Sequence, residues 1–200
     1  MFKNICYLDT ETTGLDPETG QVIELYIADY DVNGRKTEHL FRFAFDESKA
    51  DKRALKINKY YDRKELWDNA KPFKEYLMLI LDLLMEKTIV AHNVSFDASF
   101  LLEEFKRCGI ARKPWKRPLD TYSISKFLLE GSSLFSCSMK ALRYFFNLEK
   151  SSSHTAKDDV EDLIKIVEHM QRYRDSRFAR LRYNVSFKIR DMNKYEANIP

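Results

Sequence analysis

The stretch Asn4-Ile5-Cys6-Tyr7-Leu8-Asp9-Thr10-Glu11-Thr12-Thr13-Gly14 decides how this chain is read. Its first half is β-branched, aromatic and apolar, which predicts a strand from Asn4 to Asp9. Side chains alternate along a strand, so Ile5, Tyr7 and Asp9 share one face. If the backbone stays extended for two more residues, Glu11 joins them, and two carboxylates project from the strand end beside a sharp Thr12-Thr13-Gly14 turn. Taken alone, an Asp-x-Glu pair is most often a pair of solvated turn acids. What it means depends on what else converges on it.

Outward from that strand, residues 21–32 and 35–45 are also β-branched and aromatic, with the hairpin signal Asn33-Gly34 between them, so the first third reads as a β-meander. Residues 54–69 carry a mixed pattern with short helical pieces. Pro72 then opens a helix whose Phe73, Tyr76, Leu77, Ile80, Leu83 and Leu84 form a buried stripe. Residues 88–91 read as a short buried strand, followed by a helix from about Val94 that ends before Gly109. A basic, proline-punctuated connection at 110–118 precedes helical patterns at 121–129, 138–146 and 156–172. A hairpin sheet followed by alternating strand and helix predicts a mixed α/β fold, with helices covering a central sheet.

The length of 200 residues suits one domain, and 44% hydrophobic with 32% charged residues is the mixture of a chain that folds alone. The expected division is a main body over residues 1–173 and a basic extension over 174–200, which could pack on the same domain. The first eight residues lack the length and cleavage site of a secretory signal. Residues 76–85, the most apolar run, contain Asp82 and fall short of the roughly 20 residues that cross a bilayer, so no membrane association is expected. Cys6, Cys108 and Cys137 make neither a disulfide framework nor a zinc motif, and a reducing cytoplasm fits them. The formal charge of +3 is uneven: residues 171–200 hold eight Lys or Arg against three Asp or Glu. Such a segment suits contact with phosphates, or is simply a solvated helix end and tail.

A second acid cluster is Ala91-His92-Asn93-Val94-Ser95-Phe96-Asp97, where a strand gives way to a helix. Leu101, Phe105 and Cys108 follow Asp97 at helical spacing, so this acid lies on the apolar stripe. A carboxylate there needs a cation, donors or a proton, and a bound metal is one solution; capping the helix start is another. The third cluster is Ser153-His154-Thr155-Ala156-Lys157-Asp158-Asp159. Thr155 and Asp158 match a capping box, which makes Thr155 the N-cap, His154 the residue before it and Asp159 the fourth helical position. Those two outer positions meet in space, and Asp159 shares its face with Leu163, Ile166, Val167 and Met170.

Asp9-Thr10-Glu11, then Asp97 in a His-Asn-x-x-Phe-Asp setting, then His154 and Asp159 with four residues between, closely resemble the DEDDh exonucleases. This DnaQ-like group includes the proofreading subunit of bacterial DNA polymerase III. The resemblance runs from Ile5 to about Met170 and includes Leu119-Asp120-Thr121 and Met139-Lys140-Ala141-Leu142. The sister subgroup has a tyrosine four residues before the last Asp, where this chain has Thr155, so the histidine type is favoured. The resemblance implies an RNase H-like fold with a mixed, five-stranded central sheet flanked by helices. It also implies a 3′-to-5′ exonuclease using two divalent ions, Mg²⁺ or Mn²⁺. Asp9 would bridge both metals, Glu11 and Asp159 would complete the first site, Asp97 would support the second, and His154 would act as general base. By the same analogy, Thr12, Thr13, Gly14 and Leu15 would hold the terminal nucleotide, with Asn93 and Phe96 lining the groove.

The implied substrate is the 3′ end of single-stranded nucleic acid, DNA ahead of RNA, with a polymerase or other replication protein as partner. RNA trimming is the alternative, and a non-catalytic binding module is a more distant one, disfavoured by the intact acid set. Two features depart from the family pattern: Tyr26 stands where many relatives have a small residue, and the 171–200 tail has no counterpart. The run Lys106, Arg107, Arg112, Lys113, Lys116 and Arg117 would guide a strand with Trp115 for stacking, or form a solvated loop.

Overall fold

The computed structural model describes residues 3–130, 132, 134, 136–148 and 155–184. They divide into two compact units. The first joins residues up to Asp120 with the start of the last long helix, through Val160.

In the first unit the described residues form a five-stranded sheet of β1 (Ile5–Thr12), β2 (Val22–Tyr30), β3 (Lys36–Arg42), β4 (Thr88–Ala91) and β5 (Arg117–Asp120), in the order β3-β2-β1-β4-β5. The β1–β2 and β2–β3 pairs are antiparallel, while β1–β4 and β4–β5 are parallel. β1 is the middle strand because both of its faces are apolar: Cys6 and Leu8 on one side and Ile5 and Tyr7 on the other are all buried. It runs farther than the expected 4–9, with Glu11 still paired opposite Glu24 before the register breaks between Glu11 and Thr12. The extension that would bring Glu11 to the side of Asp9 is therefore present.

The hairpin is wider than a two-residue Asn33-Gly34 turn. The last pair is Tyr30 with Lys36, and the Asp31 carboxylate accepts the amides of Asn33 and Arg35, both at 2.8 Å. Gly34 still supplies the left-handed residue, with φ 84°. Helices α1 (Lys52–Ile57), α2 (Phe73–Leu84) and α3 (Val94–Arg107) follow in this unit, with α3 as the crossover between β4 and β5. Phe73, Leu77, Ile80, Leu83 and Leu84 of α2 are buried as the periodicity predicts. β5 begins inside the stretch read as a connection, and it accommodates Pro118 because it is an edge strand.

Trp115 corrects the sequence reading. It is only 4% exposed and packs near Phe105, with ring centroids 6.3 Å apart, so the core and not a nucleotide base occupies its faces.

The second unit contains α4 (Thr121–Leu128), α5 (Met139–Phe146) and most of α6 (Ala156–Asp175), followed after Ser176 by a helical stretch at 177–184. Its core includes Leu129, Leu142, Phe145, Phe146, Ile166, Met170 and Tyr173. Tyr183 joins the edge of this cluster and bonds His169 Nδ1 at 2.5 Å. The remaining tail, 185–200, lies outside the described residues.

Within this unit Arg143 Nη1 donates to the buried Asp162 carboxylate at 2.6 Å. Removing one partner of a buried pair strands the other charge, so Asp162→Ala should cost about 3 kcal/mol. On a chain of this size that lowers the melting temperature by roughly 6–10 °C. Thermal denaturation measures it, and an unchanged midpoint would show that Arg143 is served by other acceptors.

Candidate metal centre

Three carboxylates from two elements meet in the first unit. Asp9 and Glu11 project from the same side of β1, Asp159 comes from the first turn of α6, and one oxygen of each lies within 4.8 Å of the others. All three residues are half-buried.

The local reasons are visible. Thr155 caps α6: its hydroxyl oxygen accepts the Asp158 amide at 3.2 Å while its proton goes to the Asp158 carboxylate at 2.6 Å. The Asp159 amide bonds the Thr155 carbonyl at 3.0 Å, which starts the helical ladder and leaves the Asp159 side chain to face β1. At the N-terminus of α3, Asp97 is 3% exposed, and its Oδ1 accepts both the amide and the hydroxyl of Thr10, at 2.9 and 2.8 Å. Thr10 is the residue between Asp9 and Glu11, so Asp97 is pinned to the peptide that carries the other two acids. Asp97 does not belong to the 4.8 Å trio; it stands beside it, close enough for its charge to act on Asp9. His154 falls outside the described residues.

The electrostatics follow from this crowding. Burial, then the charges of Asp97, Glu11, Asp159 and Glu24, push the Asp9 carboxyl well above the usual carboxylate range. Burial, then Glu24 and Asp159, push Glu11 up to about 8, against an opposing pull from Arg63. Burial raises Asp97 to about 7 although the Thr10 bonds favour its charged form, with Asp120 adding a smaller upward push. An all-oxygen donor set held in such a repulsive arrangement fits a hard divalent cation.

The neighbouring loop is internally bonded. Thr12 Oγ1 donates to the Gly14 carbonyl at 2.7 Å, and Thr13 Oγ1 accepts the Gln21 amide at 2.8 Å. The Asp51 amide donates to the Thr13 carbonyl at 2.8 Å, and the Asn58 side chain to the Thr12 carbonyl at 3.1 Å. Leu15 stands out at 85% exposed, and Phe96 is half-buried against Phe100, with centroids 4.9 Å apart. Asn93 is left-handed, with φ 71°, and does not cap α3 through its side chain. Asp120 does so instead, accepting the Asn93 amide at 2.8 Å and that of Val94 at 3.3 Å.

Sequence reasoning missed Asp120 as a cap, and it missed Asn58, Glu24 and Arg63. The one available signal was Asp120 itself, an acid at the end of a strand adjoining β4. Asn58, Glu24 and Arg63 act through partners far away along the chain, which no local pattern marks.

Comparison with known proteins adds the following. The RNase_T model, described as an exonuclease, matches residues 6–167. DNA polymerase III PolC-type from Thermotoga petrophila is 28% identical over 178 residues, covering 86% of this chain and 12% of that protein. DNA polymerase III subunit epsilon from Treponema pallidum is 29% identical over 160 residues, covering 76% of this chain and 69% of the relative. The 3′-5′ exonuclease DinG of Staphylococcus epidermidis is 30% identical over 103 residues, covering 52% of this chain and 11% of that protein. This chain thus spans a small part of its PolC-type and DinG relatives. A solved structure of exonuclease I superposes with a TM-score of 0.71 at 17% identity, covering 100% of this chain and 46% of the other. That likeness establishes the fold as RNase H-like.

Proposed function

Because the chain belongs to the exonuclease family matched over residues 6–167, we propose that it removes nucleoside monophosphates one at a time from the 3′ end of single-stranded or frayed DNA. The observation that carries this reading is the convergence of Asp9, Glu11 and Asp159 oxygens within 4.8 Å, beside the buried Asp97. Asp9, Glu11 and Asp159 are the residues that would hold a divalent cation, and Asp97 completes the acid set for a second. Bound there, Mg²⁺ or Mn²⁺ supplies positive charge for the scissile phosphate and a water acidic enough to attack near neutral pH.

The chain's own groups do the rest. His154 accepts the proton of the attacking water. Leu15 presents an exposed apolar surface to the terminal base, while Phe96 and Asn93 line the approach and the 12–14 loop holds the terminal nucleotide. The polymerase III names of two relatives support association with a replicative polymerase.

The test is digestion of 5′-labelled DNA and RNA oligomers with Mg²⁺, with Mn²⁺ and with chelator. Stepwise shortening of DNA, dependent on metal and slower for RNA, is the expected result. No shortening with either metal refutes the assignment, and faster loss of RNA transfers it to an exoribonuclease. His154→Ala should lower kcat by roughly 10²- to 10⁴-fold with little change in KM. A raised KM with unchanged kcat would remove histidine from the base role.

A further inference from the structure

Glu24 is fully buried on β2, directly opposite Glu11 across the β1–β2 pair and opposite Arg42 across the β2–β3 pair. Two acids facing each other across strands repel, and burial sharpens the cost. Support for the backbone does not account for the charge. One Glu24 oxygen accepts the amide of Ala156, the first residue of α6, at 3.4 Å, and a neutral amide oxygen would accept that bond equally well.

What the carboxylate alone supplies is a counter-charge for two guanidiniums. Its other oxygen takes Arg42 Nε at 2.9 Å and Arg63 Nη1 at 3.4 Å. Both guanidiniums lie over the ring of Trp67, each 5.4 Å from its centroid, and Trp67 is itself fixed by an indole bond to the Ile23 carbonyl at 3.0 Å. Arg63 is the looser of the two. Its contact with Glu24 is at the long limit for a hydrogen bond, and its Nε is buried without an acceptor among the described residues. Its Nη2 holds the carbonyl of Asn58, the residue that ties down Thr12. Glu24, which holds Arg63, stands directly opposite Glu11, so the Arg63 guanidinium has a second carboxylate in its neighbourhood.

Arg63 is therefore near two carboxylates, one required to bind a cation and one not. We propose that Glu24 is a positioning residue that holds Arg63 and Arg42 as its own counter-ions, so that Glu11 stays open to a divalent cation and is not closed by an arginine. This rests on the proposed reading of the acid cluster as a metal site. The two ends of one ion pair then act on metal binding in opposite directions. Glu24→Gln removes a nearby negative charge and frees Arg63 to compete for Glu11; Arg63→Met removes the competitor.

The measurement is calorimetric titration of Mn²⁺ into the full chain at low ionic strength, without substrate. From the size of a unit charge interaction at these separations, Glu24→Gln should weaken Mn²⁺ binding about tenfold and Arg63→Met should tighten it by roughly 2- to 5-fold. The double variant should bind at least as tightly as the parent, so that Arg63→Met tightens binding about tenfold or more in the Glu24→Gln background against roughly 2- to 5-fold alone, a non-additivity that marks direct coupling. If both single variants weaken binding, or the double variant is no better than Glu24→Gln, the proposal is overturned, since mere structural damage has that signature. Should Glu24→Gln fail to fold, Arg63→Met alone decides: tighter binding supports the proposal, and equal or weaker binding overturns it. A parent that takes up no Mn²⁺ defeats the metal-site reading and this inference together; a parent that binds with the variants in the wrong order defeats this inference alone.

Discussion

Asp9→Ala, and separately Asp159→Ala, should lower 3′-end hydrolysis by at least roughly 10³-fold, since metal activation of an in-line displacement supplies several kcal/mol. The protein should stay folded. Asp9 is surrounded by the charges of Asp97, Glu11, Asp159 and Glu24, all of which oppose its ionisation. Removing one member of a repelling set relieves the others, so in chelator the melting temperature of Asp9→Ala should equal or exceed that of the parent. Loss of activity with retained or increased stability is the signature of a group kept for function at the expense of the fold. Near-normal hydrolysis by either variant would show that the carboxylates converge for another purpose.

Burial, together with this repulsion, makes stability depend on pH and metal in opposite senses. Glu11 is pushed up to about 8 and Asp97 to about 7, both above their values in an unfolded chain. Between roughly pH 4.5 and 8 the folded protein therefore holds protons that the unfolded chain has released, and stability falls as pH rises through this window. The metal-free protein should lose on the order of 5 °C in melting temperature between pH 5.5 and 8. Mn²⁺ or Mg²⁺ binds the deprotonated acids, so saturating metal should raise the midpoint more at pH 8 than at pH 5.5, with proton release on binding. Thermal scans with and without chelator at the two pH values measure this. A metal-free midpoint that rises toward pH 8, or a metal increment larger at pH 5.5, would contradict the crowded-acid account.

Much of the centre was legible because it rests on short-range rules. Alternation along a strand places Asp9 and Glu11 on one side, and the structure adds only that the strand continues far enough to keep Glu11 in line. The Thr155 cap fixes where α6 begins and so which of two adjacent acids, Asp158 or Asp159, is free to leave the cap and face β1. Asp97 was half legible. Its place on an apolar helical stripe marked it as needing a partner, but a helix cap and a metal remained equal alternatives, and it accepts the amide and hydroxyl of Thr10, 87 residues away. Trp115 went the other way: a tryptophan in a basic, proline-punctuated stretch looks exposed until Phe105 packs beside it.

By itself, then, the sequence determined the strand and helix order apart from the start of β5, the acids that share a face and the Thr155 cap that aims Asp159, because those depend on neighbours within a few residues. Only the tertiary structure decided that Asp120 caps α3, that Asn58 ties down Thr12, and that Glu24 stands between Glu11 and two arginines while receiving an amide 132 residues away. Partners so distant along the chain are chosen by which strands adjoin and which charges burial forces together, and no local periodicity encodes that choice.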